Sequence, residues 1–134
     1  MRIAWPLLLL AVSLSVRAED GVPATTHALC DTHAAEIFDA LDASTYDKAT
    51  APFDAPLRER YPASKLKADY EALPSKYGKL IGRGRPHVGD VSGHTVVMAP
   101  LIFEHGTLTA EVHCGSDGSV SDFRLLPTQV MTDP

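Results

Sequence analysis

The stretch HTVVMAPLIFEHGTLTAEVHC, His94 to Cys114, decides the fold. It reads as two strands joined at His105-Gly106: apolar and polar residues alternate from Thr107 to Cys114, and Thr95 to Phe103 is a near-continuous apolar run. A two-residue turn at His105-Gly106 pairs Val97 with Cys114, Leu101 with Ala110 and Phe103 with Leu108. Asp117-Gly118 marks a second tight turn and pairs Val112 with Phe123 and Ala110 with Leu125. Register sets the faces, because neighbouring strand residues point to opposite sides. One face collects Val97, Ala99, Leu101, Phe103, Leu108, Ala110, Val112, Cys114, Phe123 and Leu125. It is apolar and is expected to pack on whatever precedes the sheet. The other face carries His94, Thr109, two cross-strand pairs (Glu111 with Arg124, His113 with Asp122) and a small apolar group, Val96, Met98 and Ile102. Such a group marks a candidate partner surface, including one for a second copy of the chain; a solvated face with a few apolar residues is the alternative.

Upstream the period changes to that of a helix. Cys30, Ala34, Ile37, Phe38 and Leu41 form one stripe over His27 to Leu41, after a polar lead-in (residues 19–26) whose Thr25 or Thr26 is placed to cap it. Ser44 to Asp47 reads as a second, short start, stopped by Pro52. Pro56 and Pro62 leave room for one turn around Leu57 to Tyr61. Ser64 opens a third helix with Leu66, Tyr70, Leu73 and Tyr77 on one stripe, ended or bent by Pro74 and closed by Gly78. After Gly78 a first strand begins at Lys79 to Ile81 and fades into Gly82-Arg83-Gly84-Arg85-Pro86. Three more follow, at His94 to Glu104, Thr107 to Cys114 and Val120 to Leu126. The order predicts one α+β domain over residues 27–128, three N-terminal helices packed on an antiparallel sheet, and a polar tail over 129–134.

The N-terminus reads as an export signal over residues 1–18. Arg2 precedes the apolar run Leu7 to Val12, and small residues precede a cut after Ala18. The run is too short for a permanent span, which needs about 20 residues. Setting aside Arg2 and Arg17 leaves ten of the 12 basic residues against 17 acidic ones, which argues against nucleic acid and anionic membrane as partners. A secreted or periplasmic location follows, with no membrane association after cleavage. Two cysteines, Cys30 and Cys114, then read first as one disulfide, worth roughly 4–5 kcal/mol for so long a loop. Cys114 on the inner sheet face and Cys30 on the buried helix stripe are able to meet. Two buried thiols that never meet are the alternative.

Phe38 to Leu80, with its FDALD helix end, Tyr46-Asp47-Lys48-Ala49 turn, Phe53-Asp54, Pro62 with Leu66, Leu73-Pro74 and Gly78, resembles the small secreted domains of domain of unknown function family 3887. Pro100 to Pro127 is similar to that family's closing strands. The resemblance implies a curved sheet wrapped round helices, the cone-like, cystatin- or nuclear-transport-factor-2-like shape, sometimes with a pocket. Here that pocket would involve Phe38, Tyr70, Leu73, Tyr77 and Phe103. The matching residues are packing and turn residues, and no catalytic residue carries over.

Chemistry is sparse. His27, Cys30 and His33 are spaced H-x-x-C-x-x-H, but the two histidines stand roughly 9 Å apart along a helix, poor for a converging tetrahedral site. No G-x-S-x-G elbow is present. Cys114 and His113 point to opposite faces, and Gly82 to Asp90 lacks the glycine and helix that a nucleotide fingerprint needs. No metal ligand set and no cofactor is expected. General acid–base work by Tyr70, Tyr77 or Asp69 stays open, although the inward strand face offers no carboxylate. The reading is a non-enzymatic binding or dimerisation module for a small apolar ligand or a protein partner. Its alternative is a small hydrolase or isomerase with an acid–base residue in the cone.

Overall fold

The computed structural model describes residues 22–128, so the expected signal segment and tail lie outside the described residues. Helix α1 (Ala24–Asp42) begins earlier than the apolar stripe implied. Ala24 to Thr26 belong to the helix rather than to the lead-in, because the Pro23 carbonyl accepts from Thr26 and His27 N–H. Thr26 is not a cap; its hydroxyl donates to the Ser116 carbonyl at 3.3 Å. The stripe Cys30, Ala34, Ile37, Phe38 and Leu41 is buried as expected. Ser44, in the left-handed region at φ 56°, ends α1 rather than capping the next helix, with Thr45 N–H donating to Ala40 O.

Four short helices follow: α2 (Tyr46–Thr50), α3 (Ala55–Arg60), α4 (Ala63–Glu71) and α5 (Leu73–Tyr77). Asp54 caps α3, its Oδ1 accepting from Leu57 N–H at 2.8 Å, and Pro56 sits in the first turn, where its missing N–H costs nothing. Pro74 divides the third expected helix into α4 and α5, since it cannot continue an N–H ladder.

Among the described residues the sheet has five strands, not four: β1 (Leu80–Arg83), β2 (His87–Val91), β3 (His94–Phe103), β4 (Gly106–Cys114) and β5 (Val120–Pro127). All pairings within it are antiparallel, in the order β1-β3-β4-β5, with β2 also on β3. Strands β1 and β2 lie end to end along the same edge of β3, interrupted at residues 84–86. Gly84 is pressed against Pro100, where a Cβ would come within 2.3 Å of the proline ring.

The β3–β4 register differs from expectation by two residues: Val97 pairs with Val112, and Leu101 with Leu108. The turn is Glu104-His105, and Gly106 is the first residue of β4. A Cβ on Gly106 would lie 3.1 Å from the Tyr77 ring, so this glycine serves packing rather than the turn. The β4–β5 pairs Val112–Phe123, Ala110–Leu125, Glu111–Arg124 and His113–Asp122 stand as read. A slip of two leaves every side chain on its face. The inner face therefore packs on the helices as expected, with Val97, Ala99, Leu101, Phe103, Leu108, Ala110, Val112 and Phe123 all in one core with the α1 stripe. Cys30 and Cys114 are joined by a disulfide.

Candidate functional site

Between α4 and β5 the surface sinks into a hollow of 390 Å³, lined by Tyr61, Asp69, Leu73, Phe123, Arg124, Leu125 and Leu126. Its parts are placed by the short helices. Residues Pro52 to Asp54 are stitched to the start of β5: Asp54 N–H donates to Val120 O, and Val120 N–H to Pro52 O. That contact brings Phe53 against Phe123, ring centroids 6.1 Å apart, and Tyr61 against the same ring at 6.4 Å. Helix α4 then sets Asp69 two turns beyond Tyr61, and the Tyr61 hydroxyl donates to Asp69 Oδ2 at 2.7 Å. Burial, and next the Asp69 carboxylate, push the Tyr61 hydroxyl well above the ordinary tyrosine value. Tyr61 is therefore a fixed donor, not a base, at neutral pH.

On the β5 side, Arg124 Nε donates to Asp122 Oδ2 at 2.7 Å. Asp122 also takes the Phe123 N–H at 2.9 Å and lies 3.6 Å from Arg60 Nη2. Burial alone would raise the Asp122 carboxyl, but Arg124's hydrogen bond and charge, with the Phe123 N–H and His113, hold it below the ordinary range. Asp69 has no such cation: among the described residues no Lys or Arg lies within 4.0 Å of it. Thus an apolar floor (Leu73, Phe123, Leu125) meets a rim whose carboxylate, Asp69, is held by the Tyr61 hydroxyl rather than by a cation.

Of the five pocket residues expected from sequence, only Leu73 lines this hollow. Phe38 and Phe103 are core residues, covered by the Arg83 guanidinium and the Tyr77 ring respectively. Tyr70 and Tyr77 pack half-buried against the core; Tyr70 meets the Tyr46 ring edge-on. Two further hollows, of 580 and 450 Å³, lie among the helices around Ser44, Thr45 and Lys48 and include none of the five. On the outer face Val96 is only 2 % exposed, so it offers little surface; Met98 is half-buried and Ile102 exposed. The most exposed of the large apolar side chains among the described residues are Ile81, Val91 and Val88, on β1 and β2.

Cys30 is committed to the disulfide, His27 Nε2 lies 2.6 Å from Asp90 Oδ1 and His33 faces Glu36. Among the described residues no three His, Cys, Asp or Glu side chains are grouped to hold a metal. Their buried polar residues are Thr26, Thr50 and Thr95, so no carboxylate enters the helix–sheet interior. Sequence reasoning named Asp69 but missed Tyr61 and Arg124 as its neighbours. Pro56 and Pro62 signal only that the helix between them is short; no signal in the sequence places Tyr61 beside β5.

Compared with protein-family models, curated proteins and solved structures, the chain has no match.

Proposed function

We propose that this chain is a non-enzymatic binding module working outside the cytoplasm, with the hollow between α4 and β5 as its receiving site. One observation carries the reading: an apolar floor of Leu73, Phe123 and Leu125 opens to the surface under a polar rim, the composition of a recognition site. The helix–sheet interior, by contrast, is filled by side chains of the core. The disulfide supports an oxidising compartment, in keeping with the export signal read at residues 1–18. Membership of domain of unknown function family 3887, with its cone-like shape, belongs to the same proposal. Its support is the matching packing residues Phe38, Phe53, Leu66 and Leu73 and the helices-then-sheet order.

A small hydrolase or isomerase is the second reading, favoured by the Tyr61–Asp69 hydrogen bond at the mouth of the hollow. It is the weaker one. A hydroxyl held protonated by burial and a carboxylate serves poorly as a general base, which works best with a pKa near the operating pH.

The test is a titration of the ¹⁵N-labelled, disulfide-bonded protein with indole, a minimal apolar probe, followed by amide NMR. Saturable shifts centred on Leu73, Phe123 and Leu126 are expected. Shifts elsewhere only, or none, would rule the hollow out as the receiving site.

A further inference from the structure

The β5 side of the hollow is four consecutive residues of an edge strand, Phe123 to Leu126. Among the described residues, strand β5 pairs in the sheet with β4 alone, beyond a single parallel bridge from Phe53 to Val120. Backbone groups of an antiparallel strand alternate between its two sides. Thr128 N–H donates to Thr107 O, so even-numbered residues here address β4. Odd-numbered residues address the open side, and the first of these are already satisfied. Ser121 O accepts from Arg60 Nη2 at 3.0 Å, and Phe123 N–H donates to Asp122 Oδ1 at 2.9 Å. Next along this side come Phe123 C=O and the N–H and C=O of Leu125. They have no such partner among the described residues, and they border the hollow.

We propose that β5 accepts an extended peptide as an added strand, a deepening that rests on the hollow being the receiving site. An acceptor, a donor and an acceptor in a row form the main-chain template for strand addition, and a neighbouring pocket for a side chain supplies selectivity. One peptide side chain on the helix-facing side enters the hollow over Leu73 and Phe123, so that residue is large and apolar. Two positions away on the same side the peptide passes α4, where no Lys or Arg of the described residues lies within 4.0 Å of Asp69. The residue there is Lys or Arg. Charge also favours a basic peptide over a second copy of a chain whose net charge is −5.

The probe is the blocked hexapeptide acetyl-TKTLTV-amide, titrated into the full-length disulfide-bonded protein with amide NMR and hydrogen exchange as readouts. Binding is expected to shift the Leu125 amide and slow its exchange. Methylating the peptide's leucine nitrogen removes one ladder donor and is expected to weaken binding about tenfold. Replacing the peptide's Lys by Glu weakens it, and Asp69→Lys reverses that preference. Leu125→Pro deletes the edge donor without touching the β4 ladder and should abolish binding; if that variant does not fold, the methylated peptide still decides. Equal affinity for parent and methylated peptides overturns strand addition, as does protection at Val88 and Val91 in place of Leu125, or dimerisation through β5. Indole binding without peptide binding overturns this inference alone, whereas failure of both also removes the hollow.

Discussion

Cys30 of α1 and Cys114 at the end of β4, 84 residues apart in sequence, are joined in a disulfide whose two residues are fully buried. The bridge pins the first helix to the inner face of the sheet at the end where β4 turns into β5. It closes most of the folded chain into one loop, so its main effect is on the unfolded ensemble. Replacing both cysteines by Ala is expected to cost about 2–5 kcal/mol, read as a lower urea midpoint. Mass measured before and after reduction should differ by two hydrogens. An unchanged midpoint in the double variant would mean that the closed loop does not constrain the unfolded chain.

Beside that bridge lies Thr95, which pairs with Cys114 across the ladder and is 1 % exposed. Among the described residues its Oγ1 has no hydrogen-bond partner. An orphaned buried hydroxyl costs its desolvation, whereas an apolar group of the same shape does not. Thr95→Val is therefore expected to stabilise the protein by about 1 kcal/mol, seen as a Tm raised by a few degrees. Thr95→Ala, which leaves a void, should lower it. A Val variant less stable than the parent would show that the hydroxyl is satisfied after all.

Faces proved easier to read than registers. The sequence reading puts the β3–β4 turn one residue late because Gly106 resembles a turn glycine; it is the first residue of β4, with the Tyr77 ring 3.1 Å from where a Cβ would lie. The two-residue slip did no harm, since strand side chains repeat every two residues. Strand β2 was missed because Gly82-Arg83-Gly84-Arg85-Pro86 looked like the start of a long loop. Ser92-Gly93, both left-handed at φ 51° and 79°, was the readable hairpin signal. The disulfide was legible from two cysteines in a chain read as exported, with the face assignment letting them meet; the hollow was not. It arises from the tertiary placement of Tyr61 and Asp69 against β5, and no periodicity within one segment encodes that contact.

Tyr61 gives the protein an alkaline signature. Burial and the Asp69 carboxylate raise its folded-state pKa far above the ordinary value, so the native protein holds this proton more tightly than the unfolded chain. The resulting stability is complete below about pH 10 and declines as pH rises beyond it. Tyr46 and Tyr70 are shifted in the same direction, chiefly by burial, so Tyr61→Phe should reduce the slope without abolishing it. Asp69→Asn is expected to make one tyrosinate appear earlier in an absorbance titration. If Asp69→Asn leaves the tyrosinate curve unmoved, the hydrogen bond in the hollow's rim is not formed in solution.

The β4–β5 loop depends on Gly118 twice over. Its φ of 81° lies in the left-handed region, and it follows a tight hydrogen-bonded loop in which Gly118 N–H donates to Gly115 O and Gly115 N–H to Ser119 O. Asp117 Oδ1 closes the loop by accepting from Ser119 N–H at 3.0 Å and from its hydroxyl at 2.7 Å. Any Cβ at position 118 would also meet the Leu29 side chain, 2.5 Å from Cδ2. The backbone term for Gly118→Ala is about 1–2 kcal/mol. Leu29 is 41 % exposed and able to turn aside, so the contact term is expected to be the smaller. The double variant Leu29→Ala with Gly118→Ala should then recover part of the loss but not the backbone share. Urea midpoints of the two single variants and the double separate the terms. Full recovery in the double would assign the requirement for glycine to Leu29, and no loss in Gly118→Ala would show that the loop adopts another conformation.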